Sequence, residues 1–251
     1  MHIMIGILSG AGPLAGVDVA KKLIEETKAF ADQEHLPLIL SSIPAQIPDR
    51  SQFLLGKSEE NPGKAIGELF LHLEKSGATI AALACNTAHA KPIFKEVLEV
   101  LKNANSSLKV LNIVQETVNY IKDNFPPQSK IGIISTSGTR NLGLYREALE
   151  NENFKVIETT DEEQENIQKA IYDRTIGIKA QSSPVHQDAT GLLKECMEIF
   201  KERGANVFLL GCTELPLAID FNEYLDCKII DPNRLLARAL IKEFAPEKLK
   251  N

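Results

Sequence analysis

Apolar residues gather along the chain into short runs of strand length, at Ile3–Leu8, Pro37–Leu40, Thr79–Ala84, Val110–Val114, Ile131–Ile134, Val207–Leu210 and Lys228–Ile230, with a weaker run near Phe154–Ile157. Most are continuous rather than alternating, which is the pattern of strands covered on both faces. Helical periodicity stands between them, at Val17–Phe30, Lys64–Lys75, Lys91–Lys102, Arg140–Asn151, Glu163–Arg174, Val185–Arg203 and Asn233–Phe244. Strands alternating with helices predict an α/β protein built on mainly parallel sheet. The stretch Ser41–Gly63, rich in proline and without a period, predicts a long loop, and Gly177–Asp188 a second, mobile one.

The chain also repeats itself. Ile5-Gly6-Ile7 returns as Ile131-Gly132-Ile133, an offset of 126. Lys75-Ser76-Gly77-Ala78 with Ala82-Leu83-Ala84-Cys85 returns as Glu202-Arg203-Gly204-Ala205 with Leu209-Leu210-Gly211-Cys212, an offset of 127. Two blocks agreeing within one residue predict two pseudo-symmetric α/β domains, each placing one cysteine just after a buried strand. The expected division is residues 1–103 plus 222–251 for the first domain, with the C-terminal helix returning to it, and 104–221 for the second.

Composition narrows the function. A chain of 251 residues with 43% hydrophobic and 25% charged positions supports a substantial core. A net charge of −6 without basic patches argues against nucleic acid. No stretch approaches the ~18 apolar residues that cross a bilayer, and the first residues lack the basic segment of a signal peptide. A cytoplasmic protein with four reduced thiols (Cys85, Cys196, Cys212, Cys227) is the expectation.

In open parallel sheets, ligands bind beyond the carboxyl ends of the strands. Cys85 and Cys212 are predicted there, followed by polar residues: Asn86, Thr87 and His89 in one case, Thr213 and Glu214 in the other. Backbone N–H groups of a following helix are expected to lower the thiol pKa and make a usable base. Paired, facing thiols suit a reaction in which a proton leaves one face of a carbon and returns on the other. Amides of Ser9–Gly12 and Ser135–Thr139 would help hold a carboxylate as charge develops. Cys196, on an apolar helical stripe, and Cys227, just before a strand, are assigned to structure.

The segments Ala84-Cys85-Asn86-Thr87-Ala88-His89 and Gly211-Cys212-Thr213-Glu214-Leu215-Pro216 resemble the paired signature of the aspartate/glutamate racemase family. Ile5-Gly6-Ile7-Leu8-Ser9-Gly10-Ala11-Gly12-Pro13 and Ile47-Pro48-Asp49-Arg50 extend the likeness, which is greatest toward the aspartate racemase branch. The resemblance implies two Rossmann-like domains and PLP-independent amino-acid racemisation, with Cys85 and Cys212 exchanging the roles of thiolate base and thiol acid. It implies substrate contacts by Arg50, Asn86, Thr87, Thr136, Thr139 and Thr213, and a homodimer. One departure concerns specificity: where aspartate racemases of this type tend to carry a lysine, this chain has Ile176, with Arg174 and Lys179 as possible substitutes. Glutamate, or a broader range with neutral amino acids, therefore stays open beside aspartate.

Other chemistries fit less well. Gly10-Ala11-Gly12-Pro13-Leu14-Ala15 matches a dinucleotide pattern, but Leu38–Leu40 ends in Ser41-Ser42, without the acidic residue that would bind a ribose. Cys85 and His89 are the only closely spaced ligand pair, so no metal is expected. No lysine stands where a PLP Schiff base would form, so no cofactor is expected. The remaining rivals are a decarboxylase or cis–trans isomerase of the same superfamily, and a non-catalytic two-domain protein binding a small carboxylate.

Overall fold

The computed structural model describes residues 3–10 and 12–251. Ala11, in the first glycine turn, and the residues ahead of Ile3 lie outside them, so the expectation that Ala11 contributes an amide has no structural description.

In chain order the elements are β1 (Met4–Leu8), α1 (Pro13–Glu26), β2 (Leu38–Ser41), α2 (Arg50–Leu54), α3 (Pro62–Lys75), β3 (Ala78–Leu83), α4 (Lys91–Asn103), β4 (Lys109–Leu111) and α5 (Ile113–Asn124). There follow β5 (Lys130–Ser135), α6 (Ser137–Asn141), α7 (Leu144–Glu150), β6 (Lys155–Ile157), α8 (Asp161–Tyr172), α9 (Gln187–Glu202), β7 (Val207–Gly211), β8 (Glu223–Tyr224), β9 (Cys227–Ile230) and α10 (Pro232–Phe244). The α/β class expected from the pattern is therefore what the chain adopts.

The first sheet has the order β2-β1-β3-β4, all parallel, and the second β6-β5-β7-β9-β8, parallel except for the short hairpin partner β8. Leaving out β8, the two orders correspond strand for strand, so the repeat in the sequence is a repeat of topology. The central strands β1, β3, β5 and β7 are almost wholly buried, as their continuous apolar runs require. Gly77 (φ 106°) and Gly204 (φ 89°) end the equivalent helices α3 and α9 in left-handed conformation, turning the chain into β3 and β7.

Two compact units result: the described residues up to Glu116 together with Asn233–Asn251, and Thr117–Pro232. The division falls later than the sequence reading placed it, within α5 rather than between residues 103 and 104. The reason is β4, which pairs with β3 at Ile80↔Lys109 and so completes the first sheet. Likewise β9, expected after the return at 222, pairs with β7, and β8 pairs with β9, so both stay in the second unit.

Several elements differ from their periodicity. Val110–Val114 is strand only to Leu111; the Asn112 carboxamide oxygen then accepts from the N–H groups of Val114 and Gln115 (2.9 and 3.2 Å) and starts α5. The helix expected over Arg140–Asn151 breaks at Gly143 into α6 and α7. Inside the Ser41–Gly63 loop, Asp49 accepts from the Gln52 N–H (2.8 Å) and caps the short helix α2.

In the first unit, Leu8, Ala81 and Leu83 of the sheet pack with Ile66, Leu69, Phe70, Leu73, Ile93 and Val97 of α3 and α4. Helix α10 presents buried Leu236, Ala237, Leu240 and Ile241 to the same unit. It is tied to α1 by Asn233, whose Nδ2 donates to Asp18 at 2.7 Å, and by Arg234 and Arg238, which both pair with Glu26. In the second unit, Ile134, Phe208 and Leu210 pack with Ile167, Ile171, Leu193, Met197 and Phe200 of α8 and α9. Among the described residues no helix is long and apolar enough to cross a membrane.

Candidate active site

The carboxyl end of β3 is where the first cysteine emerges. The Ala84 N–H still donates to Leu8 O of β1 (2.9 Å), and the next residue, Cys85, leaves the sheet half-buried. Gly10, at the matching end of β1, has φ +62°, and a methyl group on it would stand 3.0 Å from the Cys85 Cβ. Glycine is required there both by conformation and by this close approach. A 3-10 turn, Thr87–His89, follows, with Asn86, Thr87 and His89 all buried. His89 donates from Nδ1 to the Cys85 carbonyl at 2.8 Å, and its complete burial pushes its pKa down to about 4, so the imidazole is neutral. It fixes the backbone under Cys85 and does not reach the thiol through this bond.

Arg50 begins α2, which packs against the Thr87–His89 turn. Its side chain is buried, with Nη1 donating to Pro48 O at 3.2 Å. Arg50, Asn86 and Thr87 thus gather around the Cys85 strand end in the first unit.

The second unit repeats the placement with different chemistry. Ser135 pairs with Gly211 across β5 and β7, so Thr136 and Cys212 leave adjacent strand ends. Thr136 caps α6: its hydroxyl oxygen accepts from the Thr139 N–H (3.3 Å) and its hydroxyl donates to Thr139 Oγ1 (3.2 Å), both residues buried. Gln164 of α8, buried beneath them, donates to Ser135 O at 2.9 Å and fixes the end of β5. A polar cleft of about 400 Å³, lined by Ser137, Arg140, Asn141, Asp161, Gln164 and Gln168 among others, lies over α6 and α8 and includes neither cysteine.

Cys212 itself is buried, and its Sγ–H donates to Glu214 Oε2 at 3.0 Å. Thr213 donates to the same oxygen at 3.3 Å. Glu214 is only 5% exposed, and its other oxygen, Oε1, is paired with Lys179. Lys179 also lies 5.4 Å above the Tyr172 ring. Burial works against the ammonium, but the Glu214 carboxylate outweighs it and holds Lys179 above the usual lysine range.

The expected lowering of the thiol pKa does not occur at Cys212. Complete burial and then the neighbouring Glu214 carboxylate push this thiol well up. No α-helix begins directly after either cysteine: three-residue turns, Thr87–His89 and Leu215–Leu217, follow instead, so the anticipated helix N-terminus is not there. Cys196 lies in the second core, where burial raises its thiol to about 12, and Cys227 is buried with Sγ donating to Ala205 O at 3.3 Å.

Gln164 is a residue that sequence reasoning left out, and Glu214 one that it named only as a polar neighbour of Cys212, with no role. Glu214 had a signal: under the 127-residue offset it stands where the first half has Thr87, a change from hydroxyl to acid in an otherwise repeated position. Gln164 had none, being one polar residue on a polar helix. Of the two substitutes for the residue at Ile176, Lys179 is the one beside the Cys212 loop.

The Asp/Glu/Hydantoin racemase family model matches residues 8–240. The broad specificity amino-acid racemase RacX of Bacillus subtilis is 26% identical over 246 residues, covering 96% of this chain and 98% of that protein. The glutamate racemase of Carboxydothermus hydrogenoformans is 27% identical over 256 residues, covering 98% and 81%. Among solved structures, the aspartate racemase of Picrophilus torridus superposes with a TM-score of 0.80 at 28% identity, over 97% of this chain and 94% of that one. With the family model matched along nearly the whole sequence and the fold shared with a solved aspartate racemase, this chain belongs to the Asp/Glu/hydantoin racemase family.

Proposed function

We propose that the protein racemises an amino acid without a cofactor, using Cys85 and Cys212 as opposed base and acid. One observation carries this reading: two sheets of matching order each deliver a free cysteine at the carboxyl end of the same strand. In the reaction, a cysteine thiolate takes the α-proton, the C–H electron pair spreads into the substrate carboxylate, and the other cysteine's S–H protonates the opposite face. One S–H bond forms and another breaks, so the product is the mirror image and the enzyme carries its thiolate on the other side. The α-proton is weakly acidic, so the base has to be held at contact distance and the carboxylate has to meet donors as its charge grows. Arg50, with a buried guanidinium fork, suits the carboxylate. Asn86, Thr87, Thr136, Thr139 and Thr213 supply the remaining polar contacts.

The substrate range extends beyond dicarboxylates. Ile176 is apolar, and of the two cations that could stand in for a lysine there Lys179 is engaged with Glu214, which leaves Arg174 for a second carboxylate in that loop. The relationship to a broad specificity racemase supports the same view. By resemblance to the family the working form is a cytoplasmic homodimer.

Proton NMR in deuterated water tests the reading, with L-aspartate, L-glutamate and several neutral L-amino acids offered to the purified protein without added cofactor. The α-proton signal is expected to disappear as the D-form appears, and Cys85→Ser or Cys212→Ser to abolish racemisation. Absence of exchange with every amino acid refutes it and returns the decarboxylase, isomerase and binding-protein readings.

A further inference from the structure

Two glutamines one turn apart on α8 hold the backbone on both sides of Thr136. Gln164 Nε2 donates to Ser135 O at 2.9 Å, and Gln168 Oε1 accepts from the Ser137 N–H at 3.0 Å. Gln164 also accepts from the Thr159 hydroxyl through Oε1, so both ends of its amide are engaged. All of these residues belong to the second unit. Gln164 shares its helix face with Ile167 and Ile171, which are fully buried in the second core, and is itself buried. An amide in that place gives up apolar burial and costs desolvation and side-chain freedom. Glutamines at two successive turns, both reaching the same bend of the chain, therefore call for an explanation beyond packing.

The element they hold supplies one. Helix α6 has five residues, too few to keep a helix by itself. At its start Thr136 accepts from the Thr139 N–H and Gln168 from the Ser137 N–H, two of the donors that the first turn of a helix leaves without a partner inside it. A further tie between α6 and α8, Arg140 to Asp161 at 2.8 Å, reaches an aspartate that is almost fully exposed and so contributes little. The matching turn of the first unit is held differently. Ser9, the counterpart of Ser135 under the 126-residue offset, donates through its own hydroxyl to Gly12 O and Pro13 O at 2.9 and 3.0 Å.

We propose that Gln164 and Gln168 are positioning residues for the reaction: together they clamp the turn from β5 into α6 and so aim the Thr136–Thr139 hydroxyl pair at the substrate carboxylate. The inference rests on the reading of Thr136 and Thr139 as substrate contacts. The two hydroxyls are joined at 3.2 Å, so a rotation of the backbone at Thr136 moves both. Charge builds on the carboxylate as the α-proton leaves, and a polar group out of line costs most at that moment. An amide suits position 164 because it donates to a carbonyl at one end, accepts from a hydroxyl at the other and carries no charge. A carboxylate there would turn an acceptor toward the Ser135 carbonyl oxygen, whereas at position 168, where the partner is an N–H group, a carboxylate oxygen accepts as well as an amide does.

The test uses the whole protein with the amino acid that exchanges fastest, and circular dichroism establishes that each variant is folded. Gln168→Met keeps the length of the side chain but not its acceptor, and should lower kcat/KM by about 10-fold, less than the ~10²-fold of a full 1 Å misplacement. The fall should lie in kcat, with KM nearly unchanged, because the interaction strengthens only as charge develops. Gln168→Glu should restore most of the rate, while Gln164→Glu should be as slow as Gln164→Met. A double-mutant cycle separates positioning from general support of the fold. In a Thr139→Val background, where one hydroxyl of the pair is already gone, Gln168→Met should cost far less than it does in the wild type. Losses that multiply, or a fall carried by KM alone, overturn the inference. Gln164 is buried and Gln168 half-buried, so if the Gln164 variants fail to fold, the Gln168 series and its cycle decide. A slow Thr139→Val protein with an unaffected Gln168→Met overturns this inference alone, whereas a Thr139→Val protein as active as the wild type removes the reading beneath it and the inference together.

Discussion

His89 illustrates how a site residue is read at the scale of one side chain. Its neighbourhood in the sequence suggests chemistry, yet burial makes it neutral and gives it a backbone carbonyl to hold. The unfolded chain takes up a proton at this imidazole near pH 6.5, the fold only near pH 4. Above pH 6.5 neither state is charged and the contribution to stability is complete; as pH falls from 6.5 toward 4, the unfolded state gains the proton and stability is lost. At about 1.4 kcal/mol per pH unit, the loss reaches about 3 kcal/mol. Urea unfolding at several pH values should show wild type weakening across that window more steeply than His89→Phe, and parallel slopes would refute the assignment. What was legible at this scale was residue type and position: the repeat and the family signature singled out Cys85 and Cys212, and the fold puts each just beyond the end of an equivalent strand. What was not legible was environment. Whether a thiol is raised or lowered depends first on burial and then on Glu214 and Lys179, which are 35 residues apart along the chain, and a contact between a loop and a strand end has no periodicity to betray it.

At the scale of elements, continuous apolar runs identified every strand of the two sheets except β8, because buried parallel strands have little other sequence expression. The failures share a cause. In Val110–Val114 the β-branched residues continue past the end of the strand into a helix, and only the cap at Asn112 marks the change. Caps are single residues, so a reading based on windows passes over them. Helix α10 offers an element-scale prediction. Asn233, fully buried, donates to Asp18 and fastens the start of α10 against α1. Replacing it with alanine removes a donor from a buried carboxylate and should cost about 1–3 kcal/mol. In a chain of this size that corresponds to a fall in Tm of about 2–4 °C per kcal/mol. Thermal unfolding followed by circular dichroism measures it, and an unchanged Tm would show that the contact is dispensable.

For the whole molecule, the repeat proved the most informative part of the sequence, since it gave the number of units and the location of both cysteines. It could not give the boundary, because strand pairing decides on which side of the division β4 falls. The units differ in continuity: the second is one uninterrupted segment, Thr117–Pro232, while the first needs α10 from the far end of the chain. A fragment of residues 117–232 is expected to give cooperative thermal unfolding by itself. Residues 1–116 alone should do so only when 233–251 are supplied as a peptide. Independent cooperative unfolding of 1–116 would contradict this view of the first unit. The return of α10 also sets a timetable on the ribosome. Leu236, Ala237, Leu240 and Ile241 are missing from the first core until the second unit has been made in full. At about 5–20 residues per second that wait is on the order of ten seconds. The half of the enzyme synthesised later is thus the first able to finish folding, and the earlier half, with its Cys85 loop, waits through that interval with its core incomplete.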